Sequence, residues 1–343
     1  MTTTTGASAE DIEFHYDVGN DFYSLWLDDT LTYSAAAWDG ITSDTDPGDV
    51  AALARAQRNK LRRHLDQAAL PRGGRLLDIG CGWGGLLALA AEEDHAGEMT
   101  GLTLSRAQLA HVNSLALPQV QARLEDWRFH TPDSVYDAIV SVEAFEAFAG
   151  PGLTPGQRVE AYSGFFAACH SWLAPGGTLS LQTIAFDGGI DADGPVGAFF
   201  AGDVFPASAL PRLTEIAAAC DAFFSLTALT SAPQDYVRTL RAWSTRLLAA
   251  REQAEKAVGP ETYQRYRLYL KTCEILFRRG EVTLYRMTMR RRPQRLHLPA
   301  RNTNWPQVTQ PLPSHPSREL RGALRRGGAD VAQLKRTHET VRV

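Results

Sequence analysis

One stretch limits the folds open to this 343-residue chain more than any other: Leu77-Asp78-Ile79-Gly80-Cys81-Gly82-Trp83-Gly84-Gly85. It joins an apolar burst, RLLDIG (75–80), to a helical pattern, GLLALAAEE. Glycines so dense at a strand-to-helix turn let the backbone take left-handed angles and approach a ligand closely. Comparable units follow. EMTGLTL (98–104) reads as a strand and SRAQLAHVNSLA as a helix, and a short polar strand surrounds residues 122–124. YDAIVSVEAF (136–145) is strand-like, VEAYSGFFAACHSWLA (159–174) is helical, and Pro175-Gly176-Gly177 turns the chain into TLSLQTIAF (178–186). Strands and helices alternating over short connections imply right-handed βαβ units and a doubly wound, mostly parallel α/β sheet.

Helices flank this unit. Phe22, Leu25 and Trp26 fall at helical spacing, and residues 48–68 carry apolar positions three and four apart. Residues 187–280 read as a largely helical insertion over the ligand site. It starts as a Gly- and Pro-rich loop (187–215) with a short helix and ends in two long helical patterns (234–280). EVTLYRMTMRR (281–291) alternates as a strand, expected to return to the sheet edge. The domain so predicted spans 11–291, after a loose terminus at 1–10 and before a Pro/Arg-rich tail at 292–343 without periodicity.

Charge is unevenly spread. From Arg290 onward there are 12 Lys and Arg against 3 Asp and Glu, a net of +9, so residues 1–289 carry −13 of the total −4. Such a tail suits an anionic lipid surface or an acidic carrier protein, while the small overall charge gives no reason to expect nucleic acid. The four cysteines stand far apart, without CxxC or metal spacing, so reduced thiols and no metal are expected. No stretch approaches 18 apolar residues, and the opening MTTTTGASAEDIE has neither a basic region nor an apolar core, which predicts a cytoplasmic protein. The oligomeric state stays open.

The ligand is narrowed by Asp78. A carboxylate two residues before the first glycine repels phosphate but can orient an ammonium, and there is no Walker lysine. S-adenosylmethionine, which has no phosphate and carries an amino acid and a sulfonium, fits better than a nucleotide. After the second strand Thr103, Leu104 and Ser105, with Gln108 one turn on, offer uncharged groups for ribose hydroxyls. Asp126 and Trp127 after the third strand are placed to meet the adenine amino group and ring face.

These residues carry a resemblance. His15-Tyr16-Asp17-Val18-Gly19-Asn20-Asp21-Phe22-Tyr23, Trp26-Leu27-Asp28 and Thr32-Tyr33-Ser34 resemble the N-terminal signature of the cyclopropane-fatty-acyl-phospholipid and mycolic acid cyclopropane synthases. Residues 78–85, 101–105, Phe145-Glu146, Pro175-Gly176-Gly177, 181–184, Phe205-Pro206, Tyr269-Leu270, Cys273 and Phe277 continue it, over about residues 11–291. The resemblance implies a Rossmann-like class I S-adenosylmethionine-dependent methyltransferase. It implies a cofactor held by Tyr33, Ser34, Gly80, Gly82, Thr103, Leu104, Gln108 and Trp127. Its shared chemistry is attack of a C=C bond on the sulfonium methyl, followed by loss of a proton from the carbocation.

In ring-forming members a bound bicarbonate is held by a Cys, a Glu, a His, an Ile backbone and a Tyr. Here Glu146, Ile184 and Tyr269 match, but the cysteine position is Ala35, the histidine is Gln182, and the His that follows the glutamate is Ala147. Glu143 stands where the family has Gly. Losing a thiol and an imidazole removes about 1.5–3 kcal/mol of hydrogen bonding each around a buried anion, and the added carboxylate repels one. The resemblance therefore implies a divergent member that does not hold bicarbonate in the usual way, with Glu146 or Glu143 taking the proton and Tyr269 assisting, or with the substrate supplying its own base, and with Gln182 in the histidine's place. The expected activity is C-methylation of an alkene or other nucleophilic carbon in a lipid-like, isoprenoid or polyketide metabolite. A true cyclopropane synthase on phospholipid acyl chains and an N- or O-methyltransferase on a small molecule are the alternatives. Tyr16, Tyr23, Tyr33, Trp38, Phe205 and Tyr269 are candidates for an aromatic wall that stabilises a cation.

Overall fold

A computed structural model describes residues 6, 18–187, 194–199 and 208–293, all within one compact unit, Met1–Pro293. The second unit, Gln294–Val343, lies outside the described residues, and so do the tail's expected partners and the aromatic candidates Tyr16 and Phe205.

Seven strands form one sheet in the order β3-β2-β1-β4-β5-β7-β6. β1 (Gly74–Ile79), β2 (Ala96–Thr103), β3 (Val120–Leu124), β4 (Tyr136–Val142) and β5 (Leu173–Phe186) run parallel to one another. β7 (Val282–Arg291) runs antiparallel to β5 on one side and to β6 (Phe224–Ser231) on the other. The expected doubly wound sheet is thus present, and the strand order reverses beside β1, where ligands of such sheets bind at the carboxyl ends.

Before β1 come α1 (Asn20–Ser24) and α2 (Val50–Ala68). The Asp49 side chain caps α2 by accepting from the Ala52 N–H. α3 (Gly85–Glu92) leaves the glycine turn, and α4 (Arg106–Ser114) is capped by Ser105. α5 (Pro155–Trp172) begins with a Thr154–Gln157 capping box. α6 (Pro195–Phe199), α7 (Leu213–Cys220), α8 (Pro233–Ala249), α9 (Arg251–Val258) and α10 (Pro260–Arg279) complete the order.

Two expectations are corrected. Residues 234–280 hold three helices, because the first predicted pattern is broken at Ala250 (φ −93°, ψ 20°), which ends α8 and starts α9, while Gly259 and Pro260 mark the expected boundary before α10. And β7 is not the edge strand: β6 covers it. β6 escapes a sequence reading because only Phe224 is buried and a register shift between Leu226 and Ala228 breaks its alternation, leaving Leu226 and Leu229 exposed.

One core cluster packs α1, α8 and α10 against the segment after α1, with Phe22, Tyr23, Trp26, Trp243 and Tyr266 linked by edge-on and tilted ring contacts. A second lies between α5 and the sheet, and a third between α2, α3 and β1. The N-terminal segment is thereby pressed over the carboxyl end of the sheet.

Candidate active site

A cavity opens there. Tyr33, Ser34, Asp78, Gly80, Gly82, Thr103, Leu104, Gln108, Asp126, Trp127, Glu143, Glu146 and Tyr269 line it, whereas Gln182, expected among the catalytic residues, stands behind the wall.

The glycine turn forms the floor. Gly80, Gly82 and Gly84 have φ of 79°, 55° and 83°. A Cβ on Gly80 would stand 2.4 Å from the Ala144 Cβ, while one on Gly82 would meet nothing within 4 Å. At the end of β1 the Asp78 carboxyl is buried, and burial lifts its pKa to about 7, opposed by the Lys60 charge. Thr103 Oγ1 donates to Gln108 Oε1 at 2.7 Å, which fixes the amide. Asp126 accepts from its own neighbour: Arg128 N at 2.9 Å and Arg128 Nη2 at 2.6 Å. Its carboxylate is thus already paired, whereas the Trp127 ring leans on Phe148 and Phe165.

The opposite wall holds two carboxyls of different standing. Glu146, on the short 3-10 turn Phe145–Phe148, accepts at Oε1 from Ile184 N (2.5 Å) and Thr183 Oγ1 (2.9 Å). Its Oε2 is buried with no partner among the described residues. Burial, then the nearby Glu143 charge, push its pKa up to about 8. Glu143 sits on left-handed backbone, φ 53°, and both its oxygens are engaged. Oε1 accepts from Ala35 N (2.9 Å) and Gln182 Nε2 (2.7 Å), and Oε2 from the Tyr236 hydroxyl (2.7 Å). Burial raises its pKa while these donors hold it down. Glu143 is therefore a half-buried, clamped carboxyl rather than a solvated loop acid.

Gln182 is the hub behind this wall. Its Oε1 accepts from Arg286 Nε at 2.7 Å and lies 3.3 Å from His64 Nε2. Arg286, only 1% exposed, also donates to Asp235 (2.6 Å) and to the Ala36 carbonyl (2.9 Å). Burial, reinforced by the Lys60 and Arg286 charges, drives the His64 pKa down to about 3, so that imidazole is neutral. Lys60 Nζ donates to Ser34 Oγ at 2.7 Å.

Of the aromatic candidates, Tyr33 and Tyr269 reach the cavity, and Tyr33 donates to Tyr269 at 3.1 Å. Burial raises the Tyr269 pKa and keeps its hydroxyl protonated. Tyr23 and Trp38 are core residues, bonded to Tyr266 and Thr239. Tyr236, Lys60, His64 and Arg286 are the groups that sequence reasoning missed. A signal existed for two of them. Gln57, Lys60 and His64 recur at helical spacing on the apolar face of α2, and polar residues on a core-facing stripe need a partner.

Among the described residues no group of three or more His, Cys, Asp or Glu could hold a metal, and no helix is long and apolar enough to cross a membrane. The family model for mycolic acid cyclopropane synthetase matches residues 3–287. Cyclopropane mycolic acid synthase 2 of Mycobacterium leprae is 33% identical over 289 residues, covering 78% of this chain and 89% of its own length. The S-adenosylmethionine-dependent methyltransferase UmaA of Mycobacterium tuberculosis is 34% identical over 289 residues, covering 79% and 93%. Among solved structures, mycolic acid cyclopropane synthase CmaA1 complexed with SAH and CTAB superposes with a TM-score of 0.72 at 31% identity, over 83% of this chain and 99% of that one.

Proposed function

Because the chain belongs to the mycolic acid cyclopropane synthetase family and is an S-adenosylmethionine-dependent methyltransferase of Rossmann-like class I fold, we propose that it C-methylates an alkene or similarly nucleophilic carbon. The acceptor is a lipid-like, isoprenoid or polyketide molecule, and Glu146 is the proton acceptor. The names of the relatives favour the lipid class.

The cavity's donor set fits this cofactor. It offers a glycine floor with open space above Gly82, neutral side chains at Thr103 and Gln108, and the Asp78 carboxyl, without a hydrogen-bond donor among the described residues, where a phosphate would be repelled. In this reading Tyr33, Ser34, Gly80, Gly82, Thr103, Leu104 and Gln108 hold the cofactor, Trp127 packs on the adenine and Asp78 meets the amino-acid end. Asp126 acts through Arg128, to which it is tied. When bound, the cofactor supplies an electrophilic methyl group to the acceptor carbon.

Alkylation of an alkene leaves a cation with a proton to lose. The observation that carries the assignment of the base is Glu146 Oε2, buried, unpartnered and on a residue that faces the cavity. Ile184 N and Thr183 Oγ1 hold the other oxygen, so the carboxyl is fixed in place and Oε2 is left to take a proton. Tyr269, Tyr33 and Tyr236 line the same cavity, and their rings would stabilise the developing charge. Glu143 acts as a fixed charge rather than a base, since three donors saturate it. In this reading no added bicarbonate is required, because a carboxylate that would compete with it is built into the chain.

A second reading, N-methylation of an amine, is favoured by the two carboxyls beside three tyrosines, a pairing that also suits an ammonium. One experiment separates these. Incubation with methyl-labelled S-adenosylmethionine and candidate olefins or amines, in carbonate-free buffer, is followed by NMR of the product. A branched methyl or methylene signal supports the proposal. N-methyl signals favour the second reading, upfield ring protons mean cyclopropanation, and strict dependence on bicarbonate overturns Glu146 as the base.

A further inference from the structure

Lys60 is an unusual cation. Its side chain is fully enclosed, at 0% exposure, and yet it lines the cavity. An ammonium has three protons to donate. One goes to Ser34 Oγ, and among the described residues the other two find no acceptor and no carboxylate within ion-pair distance. Buried charges are normally paired, because removal from water costs several kcal/mol per ion. Asp78 is its mirror image on the same cavity: a buried carboxyl to which no described group donates a hydrogen bond. The two feel each other's charge without touching. Opposite charges held apart, each without an ion-pair partner among the described residues and both on the lining of one cavity, are complementary to a zwitterion.

We propose that Lys60 is a cofactor-binding residue: with Ser34 it receives the α-carboxylate of the cofactor's amino-acid end, across from Asp78, which receives the α-ammonium. The assignment rests on the cofactor placement proposed above. Ser34 has a defined part in it. Because its oxygen accepts from Lys60, its own proton is left to point at the incoming carboxylate. The pair would then fix the rotation of the methionyl arm, and with it the direction of the sulfonium.

The full-length chain is titrated calorimetrically with S-adenosylhomocysteine and with its decarboxylated analogue. Lys60→Met should weaken the first by about tenfold or more and leave the second within about twofold. Unchanged affinity for S-adenosylhomocysteine, or equal loss for both ligands, overturns the role of Lys60. Failure of the wild type to bind S-adenosylhomocysteine overturns the cofactor placement instead. A measurement on the wild type covers the case of a variant that does not fold. Burial brings the Lys60 pKa down to about 8, with Glu143, Asp28 and Asp78 raising it and Arg286 lowering it. A carboxylate arriving beside it raises it again, so binding at pH 8 should take up part of a proton, seen as a buffer-dependent enthalpy. The decarboxylated analogue should not reproduce that uptake; if it does, the assignment fails.

Discussion

Gln182 Nε2 donates to Glu143 Oε1 at 2.7 Å, and the backbone presenting that carboxylate is left-handed, with φ 53°. A residue with a Cβ pays about 1–2 kcal/mol in that region, offset here by the three donors that Glu143 gathers. Glu143→Gly relieves the strain but leaves the Ala35 N–H, the Gln182 amide and the Tyr236 hydroxyl around a carboxylate-sized void. Methyl transfer should fall by about 10²-fold and recover in part with millimolar acetate or bicarbonate. The readout is rate against anion concentration; a flat response means that the void closes and Glu143 is not an anion surrogate.

Glu146→Gln should trade activity for stability. The folded pKa is raised from 4.5 to about 8, so between those values the folded chain binds more protons than the unfolded one. The group's contribution to stability is present below pH 4.5 and is lost as the pH rises through 8. The variant escapes that loss, and its melting temperature should gain on wild type between pH 5 and 8, by on the order of 2–4 °C per kcal/mol. Its rate should drop by about 10²–10⁴-fold. Thermal melts at several pH values check the first part and single-turnover assays the second.

The pH–rate profile follows from the same group. With a base near pKa 8, the logarithm of kcat should rise with pH below 8 and level above it. The apparent KM for the cofactor should instead increase above pH 8, where Lys60, also near 8, loses its charge. In Glu146→Gln the rising limb of kcat should vanish while the KM trend stays. A single limb shared by both parameters would deny the two groups separate roles.

Much of this was legible in the chain because the relevant signals are local. The glycine turn, the strand–helix alternation and the acid two residues before Gly80 lie within a few residues of one another, and they locate the cavity floor. The opposite wall was only half legible. Glu146 and Tyr269 stood out by resemblance, but Tyr236, Arg286 and Lys60 meet the site from α8, β7 and α2, and nothing local in Tyr236 or Arg286 announces a partner some 50 to 100 residues away. Glu143 illustrates the limit well. A glutamate at a glycine position reads as a disruption until the three donors that hold it are seen.

Arg286 is the strut under that wall, and its removal should show first as instability. Its guanidinium joins β7 to Gln182 on β5, to Asp235 on α8 and to the Ala36 carbonyl of the N-terminal segment. Arg286→Met keeps an apolar stem but leaves Asp235 and the Gln182 carbonyl oxygen without their main donor. Breaking a buried pair from one side costs about 3–5 kcal/mol, measurable by urea denaturation. Arg286→Lys should recover only part of this, because one ammonium cannot span three acceptors that a planar fork meets at once. Adding Asp235→Asn to Arg286→Met should return some stability by removing the stranded charge. Strict additivity of the two changes would mean that the ion pair carries no coupling and that the wall is held by packing alone.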